Sequence, residues 1–285
     1  MYEIVTNYDE FTNCVNKLKE RNIIWFRGQS NSEYPIEPTL FREKFVISDY
    51  KGIDRQQYNL RKSDAVMKDD LYALKLFKKK YSDLVKKDSL NDIDYLYLMQ
   101  HYDIKTRLLD FSEDEFVGLY FATQKNKESK ILDKEIEIIK TNDARTNDSS
   151  TIFCIDPYFL NKQAAPCDIE ENEIINLKNF DFDDLKKIDL PFAIETDSDD
   201  PRILAQKSKF VFFGLMYNDY EYYSILKDYY FRIIIPNSCR KEIFTHLKKN
   251  GYNHSDIFPD VKGIALETND EIEEKYKTGI KNITG

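Results

Sequence analysis

Hydrophobic residues near the N-terminus first follow a helical period and then form a short apolar run. Apolar positions recur at helical spacing from 11 to 18 after the capping box Thr6-x-x-Asp9, which predicts a helix that runs to about Glu20. The run 22–28 is rich in β-favouring residues and ends in a charged residue and a glycine. This run predicts a strand that leaves the core at its end.

Helical and strand patterns are interspersed along the rest of the chain. Because no regular βαβ period is present, the pattern favours a mixed α+β fold, with a helix-rich N-terminal half and a strand-richer C-terminal half. The predicted helices cover 54–84, as one long helix or two abutting ones, the stretch after the cap Ser89-x-x-Asp92, the stretch after the capping box Ser112-x-x-Glu115, and 240–250. The predicted strands cover 151–155, 209–213 and 229–235.

Residues 125–150 differ in composition from their surroundings. They contain no aromatic residues and are rich in charged and small polar ones. This composition predicts an exposed insertion between core elements. The alternation over 134–139 predicts an edge strand within this insertion. A chain of 285 residues is near the size at which one hydrophobic core stops growing, and we expect residues 1–285 to form a single large domain.

The charge balance limits the classes of partner that the protein is expected to bind. Lys and Arg number 42 against 51 Asp and Glu, which gives a formal net charge of −9. A protein that wraps duplex DNA is expected to be strongly basic, so this partner is disfavoured, whereas a local cationic pocket is not. The longest apolar stretch, 210–217, is far too short to cross a bilayer, and no signal-peptide pattern is present at the start. We therefore expect a cytoplasmic protein with no membrane partner.

The cysteines and the common motifs give mainly negative information. No CxxC pair or zinc-ligand spacing occurs, so we expect buried thiols and no metal. The usual nucleotide-binding, zinc-protease and hydrolase signatures are absent as well. A metal-assisted nuclease that uses Asp110, Asp114 and Glu115 is a weaker alternative. The cysteines are Cys14, Cys154, Cys167 and Cys239.

The arginines are the most informative charged residues. Only ten of the 42 cationic side chains are arginine, so lysine is the default surface cation here. Arg27, Arg107 and Arg202 occupy positions where a planar guanidinium fork can bind a phosphate or carboxylate bidentately. The alternative is that Arg27 and Arg107 form buried ion pairs. The candidate carboxylates for such pairs are Asp110, Glu33 and Glu37.

Several neighbouring residues have both a structural and a functional interpretation. Gly28 is interpreted either as a turn residue with positive φ or as a position where a ligand approaches the backbone closely. Gln29 offers a hydrogen-bond donor and an acceptor at the same edge. His101 is a general acid/base or caps its own helix end. Ser112 is an N-cap, or the helix N-terminus behind it holds an anion, and Asp110 is a turn acceptor or a catalytic carboxylate.

Six sequence blocks occur in order along the chain. Together they resemble the FRG domain family over residues 20–266, and this family resemblance implies a role in conflict between bacteria and phages, as a defence protein or toxin. The blocks are WFRGQ at 25–29, YPIEPTLFR at 34–42, MQHYDIKTRLLDFS at 99–112, GLYFA at 118–122, PRILAQ at 201–206 and IFPD at 257–260.

A second, partial resemblance is to ADP-ribosyltransferases of the Arg-Ser-Glu class. Their first motif is a strand that ends in aromatic-Arg-Gly, as 26–28 does, and their second motif resembles 109–112 entering the helix 117–122. The resemblance implies an ADP-ribosyltransferase-like fold and NAD as the cofactor, with Arg27 at the phosphates. It also implies Gln206 or Glu195 in the place of the catalytic glutamate.

Two hypotheses from different classes follow. In the first, an arginine-rich pocket binds a phosphorylated nucleotide such as NAD, and the protein is an ADP-ribosyltransferase or an NAD hydrolase if it is an enzyme. In the second, the protein is a non-catalytic module that recognises a protein or nucleic acid, and its arginines form structural ion pairs. The first hypothesis assigns His101, Asp110 and Gln206 to catalysis and Arg27, Gly28, Gln29, Thr106, Arg107, Ser112 and Arg202 to cofactor binding.

Overall fold

A computed structural model of the chain describes residues 1–42, 55–85, 90–125, 129–164, 174–176, 190–214 and 230–284, with backbone alone at 41–42, 55–69 and 277–284. Helices and strands are interspersed along it, and the predicted α+β class is confirmed. The helices are α1 (Tyr8–Lys19), α2 (Arg55–Leu84), α3 (Asp92–His101), α4 (Glu115–Thr123), α5 (Leu132–Thr141), α6 (Pro157–Ala164), α7 (Pro201–Ala205), α8 (Asn237–Lys249), α9 (His254–Ile257) and α10 (Val261–Thr284), with a 3₁₀ turn at Thr39–Arg42.

The strands of the described residues form one mixed sheet. Its order is β1-β8-β4-β2-β3-β7-β6-β5, in which β1 pairs parallel with β8, β5 pairs parallel with β6, and the other neighbours are antiparallel. The strands are β1 (Tyr2–Ile4), β2 (Trp25–Gln29), β3 (Leu108–Ser112), β4 (Ser149–Ile155), β5 (Ile175–Asn176), β6 (Phe192–Glu195), β7 (Ser208–Phe212) and β8 (Tyr230–Pro236).

The sheet separates two hydrophobic layers. Consecutive residues of β2 face opposite layers, because side chains alternate along a strand. Phe26 belongs to the layer that includes apolar residues of α1, α4 and α8, whereas Trp25 belongs to the layer that includes residues of β3, β7 and α6. β4 lies between β2 and β8 and is buried along its whole length. The central strands are therefore fixed from both faces, and they carry the residues of the site described below.

Residues 132–141 form α5, so the edge strand predicted over 134–139 is wrong. Glu135 and Ile139 are fully buried, one helical turn apart, and Ile139 packs against Ile234 of β8. The Glu135 carboxylate accepts hydrogen bonds from the Ser238 backbone N–H at 3.0 Å and the Ser238 hydroxyl at 2.6 Å, at the start of α8. The segment 125–150 is therefore not wholly exposed, because α5 packs against β8 and caps α8.

Two helices begin at caps other than the predicted ones. Asn7 caps α1, because its side chain accepts from the Glu10 backbone N–H at 2.9 Å. Asp114 caps α4, because its carboxylate accepts from the Phe116 backbone N–H at 2.9 Å. The sequence predicts both helices, and only their first residues shift. The predicted cap Ser89 lies outside the described residues.

The cysteines Cys14, Cys154 and Cys239 are free and buried, as predicted, and Cys167 lies outside the described residues. Burial raises the pKa of Cys14 to about 12. No helix in the described part of the chain has the length and apolarity needed to cross a bilayer. In the same part, no group of three or more His, Cys, Asp and Glu side chains is arranged to hold a metal ion.

Candidate functional site

A cleft made of two adjoining cavities lies beside β2, β3 and α4. The first cavity has a volume of ≈ 220 Å³ and is lined by Arg27, Gly28 and Ser112 among others. The second cavity, of ≈ 200 Å³, is lined by residues of α3, α7 and α10. The two cavities share Asp110, Phe121 and Gln206, so they adjoin, and together they are called the cleft here.

Arg27 reaches the first cavity from the middle of β2. The strand predicted over 22–28 is present as β2, and it ends one residue later, at Gln29. The Arg27 Nη1 donates a hydrogen bond of 2.7 Å to the Asp110 carbonyl oxygen and lies 3.7 Å from Asp110 Oδ2. Only 18% of the Arg27 side chain is exposed. The guanidinium is thus held at the wall of the cleft beside the Asp110 carboxylate.

Asp110 is positioned by a short chain of hydrogen bonds. The Gln100 Nε2 donates to Asp110 Oδ2 at 2.9 Å, and the Thr106 hydroxyl donates to Gln100 Oε1 at 2.5 Å. Thr106 in turn accepts from the Leu108 backbone N–H at 3.1 Å. Thr106 is fully buried and orients Gln100, so it supports the cleft from behind. About half of the Asp110 side chain, 49%, remains exposed to the cleft and solvent.

His101, Arg202 and Gln206 all line the second cavity, together with Asp110. The His101 Nδ1 lies 3.4 Å from Asp200 Oδ2 at the end of α3. Gln206 follows α7, and its Nε2 donates to the Ile257 carbonyl at 3.1 Å. The three residues predicted to be catalytic, His101, Asp110 and Gln206, therefore share one cavity.

Arg107 does not reach the cleft, and the prediction that three guanidinium groups converge is wrong for it. The side chain is 1% exposed, and its Nε donates to Asp70 Oδ2 at 2.7 Å. Its guanidinium also lies 4.5 Å from the Phe212 ring centroid. The buried ion pair that the sequence offered as an alternative is present, but its partner is Asp70 of α2, which was not among the predicted carboxylates. Burial raises the pKa of Asp70, and the attraction of Arg107 opposes that rise.

Gly28 lines the first cavity, but the structure gives it a packing role. A Cβ atom at this position would lie 1.9 Å from the Gly118 carbonyl oxygen and 2.6 Å from the Ala122 nitrogen, both in the backbone of α4. The absence of a side chain lets α4 approach β2, and Gly28 has no positive φ. The predicted turn at Gly28 is therefore wrong. Gln29 is buried beyond the cleft, where its Nε2 lies 3.5 Å from the Pro35 carbonyl oxygen.

The N-terminus of α4 is already occupied by a carboxylate. Asp114 bonds to Lys207 at 2.8 Å and accepts from the Tyr252 hydroxyl at 3.1 Å, in addition to its cap. The Ser112 hydroxyl donates to the Gln206 carbonyl at 2.7 Å and accepts from the Asp114 N–H at 2.9 Å. The anion predicted at this helix N-terminus would meet the Asp114 charge, so that prediction is wrong.

The cleft also contains residues that the sequence did not single out. Phe121 lines both cavities, and Phe258 and Lys262 line the second one. Phe121 and Phe258 belong to the blocks GLYFA and IFPD, which pointed to the segments but not to a role. Lys262 has no sequence signal of its own, since it is one of many charged residues.

The comparison with protein families identifies the segment that carries β2, β3 and α4. The FRG domain matches residues 22–131. The matched segment includes Arg27, His101 and Asp110, whereas Arg202 and Gln206 lie beyond it. The chain matches no curated protein and no solved structure. The segment from 22 to 131 is therefore an FRG domain, and the chain is a protein that contains one.

Proposed function

We propose that the cleft binds a phosphorylated nucleotide of the NAD type. The observation that carries the proposal is the placement of Arg27 and Arg202 in adjoining cavities that share Asp110, Phe121 and Gln206. A guanidinium group offers paired donors to a phosphate, and two such groups match a ligand with more than one negative charge.

The size and walls of the cleft support a ligand of this kind. Pockets for small molecules usually have volumes of about 300–1,000 Å³, and each cavity alone is smaller. A dinucleotide would therefore extend through both cavities. Phe26, Phe111 and Phe121 line the first cavity and supply apolar surface for a ring, beside the charged Arg27.

The proposal extends to cleavage of the glycosidic bond of the nucleotide. The bond between ribose C1′ and nicotinamide N1 would break, nicotinamide would leave with the bonding electron pair, and water or an acceptor would attack C1′. Asp110 would stabilise the positive charge that develops on the ribose and take the proton of the nucleophile. His101 and Gln206 line the same cavity and would orient the nucleophile.

Asp110→Asn is expected to slow release of nicotinamide from NAD by about a hundredfold, because the amide cannot accept the proton or carry the negative charge. The measurement is chromatographic quantification of nicotinamide over time. Asp133→Asn, at an exposed position of α5, serves as the control and should match the wild type. Equal rates of nicotinamide release in the wild type and Asp110→Asn would contradict a catalytic role for Asp110.

Replacing Arg27 with lysine is expected to weaken NAD binding by about one to two orders of magnitude, because a charge-assisted hydrogen bond contributes roughly 1.5–3 kcal/mol and lysine lacks the fork. Isothermal titration calorimetry with NAD and NADP measures the affinities. Arg21→Lys, at an exposed position outside both cavities, is the matched control. If the wild-type protein binds neither nucleotide, the proposed function is wrong.

The alternative function is a non-catalytic recognition module, and arginine–carboxylate contacts favour it. One is the contact of Arg27 Nη1 with Asp110 Oδ2 at 3.7 Å, and two more lie elsewhere. The Arg107–Asp70 pair is buried, and Arg202 Nη2 donates to Asp260 Oδ2 at 2.7 Å. Both are arginine–carboxylate pairs of the structural kind. Of the two functions, nucleotide binding accounts better for Arg27, which lies at a cavity wall and donates a hydrogen bond of 2.7 Å to a backbone carbonyl.

A further inference from the structure

We infer that α10 is the contact surface of a homodimer, in which two copies of the chain pair these helices in antiparallel directions. The observation that carries the dimer is a row of exposed apolar side chains along α10 that is nearly symmetric about its own centre. The members of this apolar row are Val261, Ile264, Ile272 and Tyr276. None of them lines either cavity of the cleft, so the dimer is independent of the proposed function.

One side of α10 is fixed to the rest of the chain. The Asp270 carboxylate lies 3.0 Å from Lys248 Nζ of α8 and 3.1 Å from His254 Nε2 of α9. The Glu267 carboxylate accepts a hydrogen bond of 2.6 Å from the Ser255 hydroxyl. These contacts hold the helix in one orientation about its axis, and the apolar row lies on the opposite side of the helix, facing solvent.

The apolar row is a continuous feature of the outward face. Its members recur at the spacing of one helix face, and the central position between them is the exposed Thr268. The exposed fractions of the four side chains are 79%, 62%, 46% and 70% in chain order. Single exposed apolar residues are normal on a protein surface, whereas aligned ones mark an interaction surface.

The apolar row is complementary to itself. Ile264 and Ile272 lie four residues on either side of Thr268. Val261 lies seven residues before Thr268, and Tyr276 lies eight residues after it. In an antiparallel pair centred on Thr268, Ile264 of each copy meets Ile272 of the other, and the two ends of the row meet in the same way. A two-fold axis requires this reciprocity, which favours a second copy of the chain as the partner.

The charges on α10 favour antiparallel over parallel pairing. Four of the five residues in the segment 270–274 are acidic. A parallel pair would place these segments side by side, and their like charges would repel each other. An antiparallel pair places the acidic segment of each copy beside the first turn of the other helix. Lys262 is exposed at that turn, and Asp260 is already paired with Arg202.

Analytical ultracentrifugation of the full chain at about 1–200 µM tests the dimer. We expect a Kd on the order of 10 µM, because one pair of helices makes a small interface. Ile264→Glu should raise the Kd by about a hundredfold or more, since each copy would bury a carboxylate against an apolar side chain. Ile131→Glu, at a position that is 67% exposed at the start of α5, is the matched control and should leave the Kd unchanged.

Oxidative cross-linking of single-cysteine variants tests the direction of pairing. They are made together with Cys167→Ser, and the other cysteines are buried. Thr268→Cys should form a disulfide-linked dimer, because its two copies meet at the two-fold axis. Val261→Cys should not, because antiparallel pairing separates its two copies by about 21 Å along the helix axis, whereas a disulfide spans at most about 7 Å between Cα atoms.

Three results would overturn the dimer as described. The first is a wild type that stays monomeric over the whole concentration range, and the second is an Ile264→Glu variant that dimerises as the wild type does. The third is a Val261→Cys variant that cross-links as readily as Thr268→Cys, which would require parallel helices. Both Ile264 and Thr268 are exposed, so the unfolding transitions of their variants should match that of the wild type.

Discussion

Replacement of Arg107 with methionine is expected to lower the free energy of unfolding by about 3–5 kcal/mol. The substitution leaves the Asp70 carboxylate in the interior without its partner, where both side chains of the pair are at most 1% exposed. Urea denaturation at neutral pH measures the loss. The double variant Arg107→Met with Asp70→Leu should recover most of it, since an apolar pair of similar volume leaves no unpaired charge.

The loss in Arg107→Met should also depend on pH. Burial already raises the pKa of Asp70, and removal of Arg107 takes away the interaction that opposes the rise. A carboxyl group whose folded pKa lies above its unfolded pKa favours the folded state most at low pH, and this contribution is lost as pH rises through the folded pKa. The destabilisation should therefore be smaller at pH 5 than at pH 8. A loss that is equal at both pH values would contradict the assignment of Asp70 as the partner.

Gly28→Ala is expected to lower the free energy of unfolding by about 3 kcal/mol or to prevent folding, because the new methyl group would overlap the backbone of α4. Neither the Gly118 carbonyl, at 1.9 Å, nor the Ala122 nitrogen, at 2.6 Å, can move without shifting the helix. The measurement is urea denaturation of the purified variant, or soluble yield where it does not fold.

Two other glycines provide graded controls for Gly28→Ala. Gly251 has a φ of +88° and no atom within 4 Å of the position that an added methyl group would take, so Gly251→Ala should cost only about 1 kcal/mol, from backbone strain. A methyl group added at Gly118 would lie 3.0 Å from Phe26 Cβ, so Gly118→Ala should lower the free energy of unfolding by an intermediate amount. If Gly28→Ala were no more destabilising than Gly251→Ala, close approach of α4 to β2 would not be the reason for the glycine.

Several regular elements could be predicted from the sequence, the long helix from its period and the strands from continuous runs of β-favouring residues. The helix over 54–84 and the strands over 151–155, 209–213 and 229–235 agree with α2, β4, β7 and β8 to within two residues. The six alternating residues 134–139 were too few to distinguish a strand from a helix. Contacts of Glu135 with α8 and of Ile139 with β8 decide for the helix, and these partners follow much later in the chain.

The candidate site could be predicted only in part, for a similar reason. The sequence points to His101, Asp110 and Gln206 as catalytic candidates, and they do line one cavity. Arg27 and Arg107 both lie next to strand residues, and the sequence offered the same two interpretations for each. In the structure Arg27 lines a cavity, whereas Arg107 pairs with a buried carboxylate. The difference arises because Asp70, 37 residues away on α2, packs beside Arg107.

The α+β class, the central strands and the blocks that identify the FRG domain could be read from the chain alone, because they depend on local period and on residues close together in the sequence. Three features required the folded chain: Arg107 points away from the cleft, Gly28 allows α4 to pack on β2, and Lys262 and Arg202 both contact the Phe258 ring. Each of these depends on contacts between side chains from distant segments, and a buried charge is tolerated only where such a contact pairs it.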